Sequence, residues 1–197
     1  MDELKKKLAS IIIEKSFRYS PEQPFTLASG KQSDYYFNCK PTTLDPEGMN
    51  LIGGILFAMV EDADLTACGG LTLGADPIAI ALSMISFQKG KPIKSFVVRK
   101  EAKGHGTKSA IEGGVQTGEK VLIIDDVITT GGSTIMAIER AREAGLLVAQ
   151  VVVLIDREEG GKAEIEKLGV EVRAMLTRSE IMDIYKGKKG RPSPSDL

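Results

Sequence analysis

The 197-residue chain has no tryptophan, a single histidine and only two cysteines. One histidine excludes multi-histidine metal sites. Cys39 and Cys68 have no histidine or cysteine cluster beside them and suggest neither a disulfide framework nor a zinc site. A reducing cytoplasm is the compartment that fits such cysteine usage. Net charge is −1, so no global field draws the protein to nucleic acid or to an acidic membrane. Long apolar runs are missing too: no segment reaches the length of a membrane span, and the short run at Ile11, Ile12 and Ile13 lacks the h-region of a secretory signal. Nucleotide and hydrolase signatures are also absent. There is no Gly-x-Gly-x-x-Gly, no nucleophile elbow and no internal repeat. The P-loop-like spacing of Gly113 and Gly118 fails because Glu119 occupies the lysine position and a strand follows.

What is present centres on residues 121–133, Val-Leu-Ile-Ile-Asp-Asp-Val-Ile-Thr-Thr-Gly-Gly-Ser. The four leading apolar residues read as a buried parallel strand with Asp125 and Asp126 at its end. Beyond the small-residue loop, Ile135, Met136, Ile138 and Ala141 recur at helical spacing. Such a loop lets backbone N–H groups converge on an anion, and the helix that follows adds the positive end of its dipole, so a phosphate monoester fits there. The two carboxylates cannot serve a phosphate. They suit hydrogen bonds from paired hydroxyls, as on a ribose, or a divalent cation. A sugar phosphate is the simplest ligand that wants both.

The remaining elements are read from periodicity and breakers. Leu4, Leu8, Ile11 and Ile12 mark one face of a helix. Strands follow at 25–27 and 34–38, and 41–46 is a break before a helix over 47–60. From Thr66 onward strands (66–71, 94–99, 146–155, 170–176) alternate with helices (78–87, 163–168, 179–185). This implies an α/β core with a central parallel sheet flanked by helices, and ligands at the carboxyl ends of its strands. The layout expected is a small N-terminal hood over 1–40, the core over 41–185 and a mobile tail over 186–197, rich in Lys, Gly, Pro and Ser.

Three segments stay open on residue chemistry alone. The pair Tyr35 and Tyr36 is sheet filler or a ligand platform. The stretch 100–114, with Lys100, Lys103, His105 and Lys108 among glycines, is a solvated loop or a functional one. Arg157, at the end of a strand, pairs with Glu158 or Glu159 or meets a planar ligand bearing carboxylate oxygens.

Residues 121–133 resemble the phosphoribosyl-pyrophosphate (PRPP) motif of type I phosphoribosyltransferases. Phe25-Thr26-Leu27-Ala28-Ser29-Gly30, with Ser33 and the tyrosine pair, is similar to the N-terminal segment of orotate phosphoribosyltransferases. So are Arg99-Lys100-x-x-Lys103-x-His105-Gly106, which matches the catalytic loop, and Asp156-Arg157-x-x-Gly160. The resemblance covers nearly the whole chain. It departs at Ala28 and Gly74, where relatives carry lysine.

The resemblance implies a type I phosphoribosyltransferase fold and transfer of the 5-phosphoribosyl group from PRPP to N1 of orotate. PRPP would be bound by Arg99, Lys100, Lys103, His105, Asp125, Asp126, Val127, Ile128, Thr129, Thr130, Gly131, Gly132 and Ser133. Orotate would be bound by Tyr35, Tyr36, Thr129 and Arg157, with the Phe37 neighbourhood close by. Lys103, His105 and Asp126 would be catalytic. Mg2+ would be carried by PRPP, with no direct protein ligand, and the chain would form a homodimer sharing the 99–105 loop across the interface. A purine-base phosphoribosyltransferase and a PRPP-binding regulator are the rival readings. Residues 25–36 and Arg157 oppose the first, and the loop 100–114 opposes the second.

Overall fold

The computed structural model describes residues 1–26, 30, 32–101 and 110–189. The chain opens with α1 (Asp2–Lys15), which buries Leu8, Ile11 and Ile12 on the face their spacing marks. Four short strands follow, β1 (Phe17–Tyr19), β2 (Phe25–Thr26), β3 (Gln32–Ser33) and β4 (Tyr35–Phe37), pairing antiparallel as β1 with β4 and β2 with β3.

The expected break at 41–46 is instead two helix starts, α2 (Lys40–Thr43) and α3 (Pro46–Val60). Each proline lies in a first turn, where its missing N–H leaves nothing unpaired. The Asp45 carboxylate caps α3 by accepting from the N–H groups of Glu47 and Gly48.

The core then runs β5 (Ala67–Leu71), α4 (Asp76–Gln88), β6 (Lys94–Val98), β7 (Ile111–Glu112), β8 (Lys120–Ile128), α5 (Gly132–Glu143), β9 (Leu147–Asp156), α6 (Gly161–Glu166), β10 (Glu171–Thr177) and α7 (Arg178–Lys189). Six strands form one sheet in the order β10-β9-β8-β5-β6-β7, parallel throughout except for the β6–β7 pair. Two expectations are corrected here. Ile111 and Glu112, read as part of a structureless loop, pair with Val98 and Val97 and cover the edge of the sheet. The last helix extends to Lys189, so the first residues of the expected tail are helical.

Alternation along β8 fixes the two layers. Leu122 and Ile124 point into a core shared with α1, α3 and α4, while Val121 and Ile123 pack with Ala137, Ile138 and Ile165 on the opposite face. The N-terminal segment therefore divides. Leu8 and Ile12 belong to the main core, whereas the β1–β4 ribbon brings Tyr36 and Phe37 to the carboxyl ends of β8 and β9. No helix among the described residues is long and apolar enough to cross a membrane.

Candidate active site

A cavity of about 480 Å³ opens at those carboxyl ends, walled by residues 36–40, 125–134 and Arg157. Its floor is the end of β8. The strand does not stop at its carboxylates. It runs on through Asp125 and Asp126 to Ile128, because Val127 and Ile128 still pair with Ile155 and Asp156 of β9. The chain then turns through Thr129 and Thr130 to Gly131, whose φ of 86° is left-handed, and enters α5 with no side-chain cap at its N-terminus. The first-turn N–H groups of α5 and the positive end of its dipole therefore face the cavity, an arrangement made for phosphate oxygens.

The loop is held from behind by another glycine turn. Gly161 lies so close that a Cβ there would stand 2.6 Å from the Thr129 carbonyl oxygen and 2.8 Å from the Gly131 nitrogen. Its own N–H donates to that carbonyl at 3.0 Å.

The two carboxylates differ. Asp125 is buried. Its Oδ2 accepts from the Thr134 hydroxyl at 2.7 Å, and its Oδ1 accepts from the Asp126 N–H at 3.0 Å. Burial, reinforced by the charge of Asp126, pushes its carboxyl up to about 7 against the opposing pull of the Thr134 hydrogen bond. Asp126 is half-buried, accepts from the Val127 N–H at 2.9 Å and lines the cavity. It is the carboxylate better placed to meet ligand hydroxyls. Gly74, in the turn after β5, packs against it: a Cβ would fall 2.6 Å from Asp126 Oδ1. A side chain at this position would have to displace that carboxylate.

Opposite the loop, Arg157 lines the cavity with only 6% of its side chain exposed. Its Nη2 donates to Ser33 Oγ at 3.2 Å and pairs with Glu159 Oε1 at 2.8 Å. Its Nε is buried with no hydrogen-bond partner among the described residues. The two tyrosines part company. Tyr36 lines the cavity beside Phe25, ring centroids 5.8 Å apart, while Tyr35 is not part of the wall and packs against Arg157 instead.

The structure thus brings Tyr36, Asp125, Asp126, Val127, Ile128, Thr129, Thr130, Gly131, Gly132, Ser133 and Arg157 to one cavity. Arg99 and Lys100 do not line it. Arg99 pairs with Glu112 at 3.4 Å, and its carbonyl accepts from Arg140. Lys103 and His105 lie outside the described residues, as does Ala28. Sequence reasoning missed Asn38, Cys39 and Lys40, which continue the wall after Phe37, and Thr134, the partner of Asp125. Their position directly beyond recognised segments was the available signal. Burial, with the charges of Asp126 and Asp125, pushes the Cys39 thiol well up, so it remains a thiol at neutral pH and is no nucleophile.

Comparison with known proteins agrees with this geometry. The phosphoribosyl transferase domain family matches residues 69–173. The orotate phosphoribosyltransferase of Aquifex aeolicus (strain VF5) is 47% identical over 90% of this chain and 97% of its own length. The solved orotate phosphoribosyltransferase of Mycobacterium tuberculosis H37Rv in complex with Fe(III) dicitrate superposes with a TM-score of 0.80 at 36% identity, covering 90% of this chain and 98% of that one. The same enzyme in complex with 5-phospho-alpha-D-ribosyl 1-diphosphate superposes at 0.74 with 30% identity, over 91% of this chain and 92% of that one.

Proposed function

We infer that this chain, which belongs to the orotate phosphoribosyltransferase family, transfers the 5-phosphoribosyl group of PRPP to N1 of orotate in pyrimidine biosynthesis. The bond between C1' and the pyrophosphate oxygen breaks, a bond from orotate N1 to C1' forms, and orotidine 5'-phosphate and pyrophosphate leave. The observation that carries this reading is one cavity holding three fittings: an uncapped helix start behind a glycine loop, an aspartate pair, and a buried arginine on the wall.

Each fitting has a task. The 129–133 loop takes the 5'-phosphate through backbone N–H groups, and Asp126, steadied by Asp125, takes the ribose hydroxyls. Arg157, on the cavity wall, takes the carboxylate side of orotate through its guanidinium fork. Lys103 and His105 are assigned to the pyrophosphate, Lys103 to stabilise its departing charge and His105 to handle a proton.

Mg2+ accompanies PRPP in this reading. The cavity offers a hard oxygen donor in the Asp126 carboxylate, which suits a hard divalent ion held mainly by pyrophosphate oxygens. When bound, the ion neutralises charge on the leaving group. The chain acts as a cytoplasmic homodimer. In support, Ile80, Met84 and Phe87 form an exposed apolar stripe on α4, continued by Leu73 in the turn beside Asp126.

The test is orotate absorbance over time with purified protein, PRPP and magnesium, beside reactions holding adenine, hypoxanthine or uracil. Orotate loss requiring both PRPP and magnesium is expected. Turnover of a purine instead, or PRPP binding without turnover of any base, overturns the assignment.

A further inference from the structure

We infer that Tyr35 and Arg178 form a clasp that positions Arg157 for the base, and that Tyr35 is not itself a platform for the orotate ring. The inference rests on the orotate reading above and assigns residues that it leaves without a role.

The Tyr35 ring lies between two guanidinium groups, with Arg157 Cζ 5.0 Å and Arg178 Cζ 5.4 Å from its centroid. Its hydroxyl accepts from Arg178 Nη1 at 2.9 Å and donates to Glu159 Oε1 at 3.3 Å. Glu159 Oε1 in turn pairs with Arg157 Nη2, so the tyrosine meets Arg157 twice, through its face and through a shared carboxylate. Arg178 is itself fixed. Its Nε faces Glu158 Oε2 at 3.4 Å, and that carboxylate oxygen also accepts from the N–H and hydroxyl of Ser179 at 2.9 and 2.6 Å.

The clasp joins three segments distant in sequence: β4, the turn after β9 and the start of α7. Its product is a buried guanidinium whose plane and rotation are set. Nη2 is occupied by Ser33 and Glu159, and one face is occupied by Tyr35. Because Tyr35 does not line the cavity, its influence on the base passes through Arg157. Tyr35 and Arg178 are therefore positioning residues. A clasp that sets the angle of a planar fork serves a planar base with an attached carboxylate, and its side chains converge on Arg157 rather than on the 129–133 loop.

The experiment measures kcat and separate KM values for orotate and PRPP, with the thermal midpoint, for Tyr35→Phe, Tyr35→Leu, Arg178→Met and the Tyr35→Leu/Arg178→Met double variant. Tyr35→Leu is expected to raise the orotate KM about tenfold and the PRPP KM less than about twofold. Tyr35→Phe keeps the ring and raises the orotate KM about threefold, as does Arg178→Met. The double variant should be no worse than Tyr35→Leu alone, because Arg178 acts through the ring. Equal rises in both KM values, multiplying effects in the double variant, or an unchanged orotate KM in an active enzyme would overturn the clasp alone. A wild-type protein that leaves orotate untouched would instead overturn the parent reading.

Discussion

Asp125 carries a carboxyl into surroundings that disfavour its charge. Burial and the neighbouring Asp126 raise it from the ordinary aspartate range to about 7, and only the Thr134 hydroxyl and the Asp126 N–H support the ionised form. The linkage has a definite sign. The folded protein holds this proton more tightly than the unfolded chain, so the associated stability is complete below the unfolded value near 3.8 and is lost as pH rises through about 7. Asp125→Asn lacks this loss. Relative to wild type, the variant should gain stability on the order of a few kcal/mol between pH 4 and pH 8, while PRPP turnover falls. Urea unfolding at several pH values measures it, and parallel stability curves for the two proteins would sink the idea.

At the scale of elements, the loop over residues 129–133 owes its shape to a neighbour remote in sequence. The left-handed turn at Gly131 releases the chain into α5, but the close approach of Gly161 holds Thr129 and Gly131 in place. A methyl group at Gly161 would meet backbone rather than a movable side chain. Gly161→Ala should therefore shift the loop, raising the PRPP KM at least about tenfold and lowering stability by roughly 1–3 kcal/mol. Kinetics and thermal unfolding check this, and an unchanged PRPP KM would mean that the loop shapes itself.

The same contrast explains what could be read in advance. Residues 121–133 were legible as strand, loop and helix because those cues are local, a β-branched run, glycines and helical spacing, but the carboxylates read as the strand's end lie within it, because pairing with β9 carries the strand on to Ile128. The parallel sheet was legible from alternation. The support of the loop by Gly161 was not, since it depends on which segment lies alongside, whereas the prolines at 41 and 46 were read as breakers although Asp45 ahead of Pro46 was a local cap signal for a helix start. Tyr35 and Tyr36 show the limit most clearly. They are adjacent and identical in the sequence, yet the pleat of β4 sends one to the cavity and the other between two arginines.

For the whole molecule, the open matter is whether one chain completes its own site. α4 buries Ile78 and Leu82 on one side and exposes Ile80, Met84 and Phe87 on the other, so it is apolar around most of its circumference. A helix of that kind is ordinarily covered. Leu73 extends the stripe into the turn whose Gly74 touches Asp126, so a second copy seated on α4 would lie against the edge of the active site.

Mixing two inactive variants decides it. Asp126→Asn spoils the pocket and spares the loop, whereas Lys103→Ala spoils the loop and spares the pocket. If each loop serves the partner, only the mixed dimer has a working site, one of its two. Half the dimers are mixed after random reassociation, so about a quarter of wild-type activity should return. If each loop serves its own chain, both sites of every dimer carry a defect and nothing returns. Recovery near the quarter, appearing only after denaturation and refolding together, would show that the catalytic unit is the pair of chains.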